Sequence, residues 1–261
     1  MREDSEDERS RAFAVCRRYF LNVNVNSPAT AVGDLVNSLI TQRVYREVTL
    51  ALRSGLRDVC AEFSFLRVRG PSLAPQFLRS VAESDSTINL FSQAQSIPEL
   101  QVVPVLFQHS LKEAEDEIVS LALRVLEGCC LLHRDSAVLA HQHKAIQVLM
   151  NILPTRGVVE QGVCLDALTA IMLDSSANQM VCSASLTLSA LNSIEEVAEL
   201  IRDKQVDENL RLKGGEFCCC SVGHVNGRDR PPQFGSTLDP EQRLTALHIQ
   251  ARRVLESLDL Y

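Results

Sequence analysis

Leu126-Glu127-Gly128-Cys129-Cys130-Leu131-Leu132-His133-Arg134-Asp135-Ser136 decides the fold reading. Its outline returns 39 residues later, as Leu165-Asp166-Ala167 through Asp174-Ser175. Leu matches Leu, an acid matches an acid, a small residue matches a small residue, and Asp-Ser matches Asp-Ser. A second apolar-periodic stretch follows each copy, Lys144–Leu153 in the first and Ile194–Arg202 in the second. A helix, a short Asp-Ser break and a return helix at a spacing near ~40 residues is the outline of stacked helical repeats. Such a unit cannot bury its apolar face alone, so neighbours stack to make one continuous core. The expected architecture is all-α: an armadillo- or HEAT-like solenoid, a right-handed superhelix of stacked helices.

Working outward, the second unit is longer than the first by about nine residues, in the Ser- and Thr-rich stretch from Val181 to Ser193, which reads as an insertion. Beyond Gly214-Gly215, Cys218-Cys219-Cys220 leads to a loop around Gly227-Arg228-Asp229-Arg230-Pro231-Pro232. Asp239-Pro240 then opens a last helix, with Leu244, Leu247, Ala251, Val254, Leu255 and Leu258 on one side. Upstream, Val44, Val48, Ala51, Leu52, Leu56, Val59 and Phe63 repeat at steps of three and four, one long amphipathic face that Gly70-Pro71 stops. Shorter helices are expected at Leu73–Ala82 and Ile88–Gln93. Another starts near Pro98 and runs towards Leu111, kinked or broken at Pro104. Glu113 to Glu117 supplies an acidic opening for the helix that ends near Leu132. The layout is a charged, partly disordered segment 1–29, a helical domain 30–225 with its insertion at about 181–193, a loop 226–238, and an amphipathic helix 239–261.

Composition narrows the function classes. The chain of 261 residues is 46% hydrophobic, with nine Phe, three Tyr and no Trp. Its apolar content is mainly aliphatic, which suits packed helices better than a ring-lined ligand cleft. A formal net charge of −7 provides no global field towards phosphate backbones or anionic lipid, so nucleic acid is not an expected partner. No apolar run reaches the ~20 residues of a membrane helix. The nine cysteines are odd in number and sit in apolar helical surroundings, as small hydrophobes in a reducing compartment. A soluble, cytoplasmic protein is expected.

No catalytic pattern is complete. His133-Arg134-Asp135 spells the start of a kinase catalytic loop, but Ala140 stands where the metal-binding Asn belongs, and no glycine-rich phosphate loop accompanies it. The plainer reading puts His133 and Arg134 at the carboxyl end of a helix, where cations are favoured. None of the nine cysteines has Arg six residues on, which excludes a cysteine phosphatase. Cys129, Cys130 and His133, and Cys218, Cys219, Cys220 and His224, are two small clusters. Adjacent cysteines on a helix point apart, however, so neither has the spaced pairs of structural zinc. No catalytic, cofactor or metal residue is assigned.

The Leu126–Ser136 stretch also resembles the L-x-G-x-x-LLH-x-x-S segment of the cell-division-control-fourteen family of the septation initiation network, which is distinct from the phosphatase of that name. Arg53-Ser54-Gly55-Leu56-Arg57 and Leu165-Asp166-Ala167-Leu168 leading into Leu173-Asp174-Ser175 add to the likeness, which spans roughly Leu50 to Leu212. The resemblance implies an armadillo-like protein without catalytic residues that binds a Ste-twenty-type protein kinase and supports it in cytokinesis, at the spindle pole or division site. The insertion at 181–193 and the cysteines at 218–220 depart from the family pattern. The expected function is therefore a protein–protein interaction scaffold, with contacts on the polar positions of the return helices: Lys144, Gln147, Asn151, Glu195, Glu199 and Arg202. Two alternatives remain open, a helical enzyme with a site assembled from scattered residues and an armadillo adaptor unrelated to division.

Overall fold

The computed structural model describes residues 31–60, 77–82, 84–173, 175, 177–178 and 191–225, with 242, 245, 248, 249 and 252. Among them every regular element is a helix and there is no strand. The chain divides into two units, residues 1–105 and 106–261. The expectations for 1–29, for 226–238, for most of the insertion and for most of helix 239–261 lie outside the described residues.

In the first unit, α1 (Ala31–Val59) buries Val48, Leu52 and Val59 of the face that the periodicity marks out. It packs on α2 (Asp85–Gln95) and on the 3-10 turn Pro98–Leu100. Ser84 caps α2 by accepting the Thr87 backbone N–H, and the buried Thr87 hydroxyl donates to Val81 O at 2.6 Å. The predicted break at Pro104 falls earlier. Gln101 separates the 3-10 turn from α3 (Val102–Gln108), and Pro104 sits in the first turn of α3, where a missing N–H costs nothing. A buried side chain makes this break: Gln95 donates to Leu100 O at 2.9 Å and accepts from Val102 N at 3.0 Å.

The second unit is built on three long helices. These are α4 (Asp116–Leu132), α7 (Val158–Leu173) and α9 (Glu208–Val225), joined by the shorter α5 (Arg134–Gln142), α6 (Ala145–Ile152) and α8 (Leu191–Arg202). Helix α4 begins with Asp116 and Glu117 at its positive end and buries Ile118, Val119, Ala122, Leu123, Val125, Leu126, Cys129 and Cys130 at helical spacing. Helix α7 is apolar on every side, the composition of a helix enclosed by others. It packs against α4 on one flank and α9 on another, with α5 and α6 also against it. From Gly162 to Met172 every residue but Asp166 is buried. Each large aliphatic side chain so enclosed is worth about 1.5–3 kcal/mol.

The described residues establish the all-α class, without a solenoid or repeat being detected among them, and the expected Asp-Ser break needs correction. The Asp135-Ser136 pair is not a break but lies in the first turn of α5, an additional helix before the return helix α6. Arg134 therefore opens a helix rather than closing one, while His133 forms the corner between α4 and α5. Gly214 and Gly215 lie within α9. A Cβ on Gly214 would stand 3.0 Å from Ile201 Cγ1, so this glycine lets α8 lie close on α9.

Candidate functional site

The six expected contact residues fall on two helices with different neighbours, α6 on α7 and α8 on α9. Lys144, Gln147 and Asn151 are exposed and, at steps of three and four, form one polar ridge along α6. Lys144 also ends the α5–α6 corner in the left-handed conformation, φ 55°, with its N–H donating to His141 O at 2.9 Å. Glu199 and Arg202 are exposed on α8, and the side chain of Glu195 lies outside the described ones. Among the described residues no contact joins the α6 ridge to the α8 pair.

A different constellation comes together across the long helices. Leu126-Glu127-Gly128 on α4 and Leu165-Asp166-Ala167 on α7 are followed on α9 by Leu212-Lys213-Gly214. The three leucines are buried, and each is followed by a charged residue and then a small one. Lys213 donates through Nζ to Asp166 Oδ2, and its stem crosses Gly162 with Cδ at 3.6 Å from where a Cβ would be. Glu127 of α4 is affected electrostatically by both groups. Burial pushes its carboxyl up to about 7, the Asp166 charge adds to the rise, and Lys213 and Arg124 oppose it. The sequence reading missed the Asp166–Lys213 contact because Leu212 follows Leu165 by 47 residues and not by 39. The Leu-charged-small triplet was the available signal.

The buried cysteines of α4 and α7 are held quiet. Cys129 and Cys164 are buried and their thiols are pushed up to about 12; Cys130 is raised as well, chiefly by burial. A protonated thiol is not a nucleophile. Burial lowers the pKa of His133, and Asp135 partly offsets it; its Nδ1 lies 3.1 Å from the buried Ser136 hydroxyl. The triplet His133-Arg134-Asp135 thus makes an interhelical corner. Among the described residues no three His, Cys, Asp or Glu side chains converge as a metal site, and no helix is long and apolar enough to cross a membrane.

Fold and surface together define an all-helical protein. Comparison with protein-family models, with curated proteins and with solved structures finds no match to this chain, and no family is identified.

Proposed function

We propose that this chain is a non-enzymatic scaffold, an armadillo-like solenoid that holds other proteins. The observation that carries this reading is the order of packing in the second unit. Helices α4, α7 and α9 lie side by side in chain order, each with a Leu-charged-small triplet, and the shorter helices between them turn polar residues outward. Stacked helical units of this kind offer an extended surface rather than a closed cleft. The shallow depression on α1 supports the same reading. Val36, Leu39, Ile40 and Val44 line it with Arg43 and Glu47, and those two charges are paired at 3.1 Å. The resemblance to the cell-division-control-fourteen family makes a Ste-twenty-type kinase of cell division the partner to test, with the α6 ridge of Lys144, Gln147 and Asn151 and the α8 positions Glu199 and Arg202 as its contacts.

The enzymatic alternative has one observation in its favour, a Glu127 carboxyl that titrates where a general acid–base works. The test is affinity capture of the tagged chain from dividing cells through a moderate-salt wash, with mass-spectrometric identification. A Ste-twenty-type kinase in near-stoichiometric yield is expected, and the triple variant K144E/Q147A/N151A is expected to lose it. Recovery of the folded chain without any kinase overturns the kinase assignment.

A further inference from the structure

Helix α1 carries a second apolar stripe besides the face that it buries. Val36, Ile40, Arg43, Glu47, Leu50 and Ser54 follow one another at alternating steps of four and three, the spacing of a coiled-coil seam. At ~100° per residue this seam is turned well away from Val48, Leu52 and Val59, which are buried within the first unit. Val36 and Leu50 of the seam are about half exposed, and so is Leu39 on its flank. These are three of the seven large hydrophobic side chains exposed among the described residues, so apolar exposure is concentrated on this one stripe. Arg43 and Glu47 are its charged positions, paired with each other at 3.1 Å along the helix.

We propose that this seam is the interface between two copies of the chain, joined as an antiparallel helix pair about a two-fold axis at the level of Tyr45. The charge pattern selects both that occupant and that direction. Arg43 and Glu47 stand equally far from position 45, as do Ile40 and Leu50, and Val36 and Ser54. An axis there sets Arg43 of each copy against Glu47 of the other and packs Ile40 of each against Leu50 of the other. A parallel pair would instead set Arg43 against Arg43 and Glu47 against Glu47, and like charges at an interface are costly. Polar residues on an otherwise apolar seam fix register and direction in this way. The seam spans ~27 Å, short for a coiled coil, so the dimer is a weak one with a Kd on the order of 10 µM. It lies on the first unit and does not depend on what the second unit binds.

Sedimentation equilibrium of the full chain tests this at about 1–200 µM. Reducing conditions keep the exposed Cys60 from joining copies. The unsubstituted chain is expected to dimerise. Arg43→Glu and Glu47→Arg each set like charges against each other at both contacts, and each is expected to weaken the dimer by at least about tenfold. An equimolar mixture of these two variants brings opposite charges together again and is expected to recover the dimer, as is the double variant R43E/E47R. Recovery on mixing also shows that both single variants are folded. An unsubstituted chain that stays monomeric overturns the proposal and leaves the stripe to a different protein or to another segment of the chain. A dimer that neither single variant weakens overturns it too, because association then lies elsewhere. Weakened variants that neither mixing nor the double exchange rescues overturn the antiparallel pairing.

Discussion

Asn178 and Arg156 are the side chains whose neighbours explain them best, and neither stands out in the sequence. Fully buried, Asn178 donates through Nδ2 to Ala137 O at 2.9 Å and to Ile171 O at 3.2 Å, and its Oδ1 lies 3.0 Å from His141 Nδ1. It therefore ties α5 to the end of α7. Asn178→Ala would remove these hydrogen bonds from a buried site and is expected to cost about 2–3 kcal/mol in a urea titration, with an unchanged denaturant slope. Arg156 donates to Glu113 O at 3.0 Å, to Ala114 O at 2.9 Å and to the Asp116 carboxylate, pinning the turn after α6 against the start of α4. Asp116 was legible as a helix-start acid. Its partner, 40 residues away in sequence, was not, because nothing local marks which arginine folds back.

At the scale of elements, two glycines in helices separate intrinsic propensity from packing. A Cβ added at Gly55 of α1 would meet nothing within 4 Å, whereas one at Gly214 of α9 would press against the buried Ile201 at 3.0 Å and Leu200 at 3.4 Å. Gly55→Ala is expected to raise stability by about 0.5–1 kcal/mol, since alanine gives up less backbone freedom on folding. Gly214→Ala is expected to lower it by about 1 kcal/mol, because overpacking against an enclosed Ile outweighs the same propensity gain. Paired urea titrations test both, and equal effects of one sign would show that packing on α8 does not matter. The long helices were legible from period and capping: α4 ends at Leu132 as expected, and the face of α1 buries Val48, Leu52 and Val59. The Asp-Ser pair misled because Asp and Ser favour helix starts as well as turns, and here they open α5.

At the scale of the whole molecule, the second unit depends on α7. With α4, α5, α6 and α9 all packed on it and its middle enclosed, α7 opens only when the surrounding helices come away. In hydrogen exchange read by mass spectrometry, peptides within Val163–Met172 are expected to be the last of the second unit to exchange. Leu165→Ala, which empties a fully buried site, is expected to cost about 3–4 kcal/mol and to speed exchange in α4 and α9 together. Faster exchange confined to α7 would argue against one cooperative stack.

By itself the sequence determined that the chain is helical, where its strongest helices run, and which cysteines serve as apolar filling, because periodicity and capping are local properties. Only the tertiary structure decided that Asp166 and Lys213 meet and that burial raises the Glu127 carboxyl. The physical reason is that charge–charge energies and burial depend on distance through space. Asp166 and Lys213 are 47 residues apart in sequence and bonded in space, a pairing that no local pattern announces.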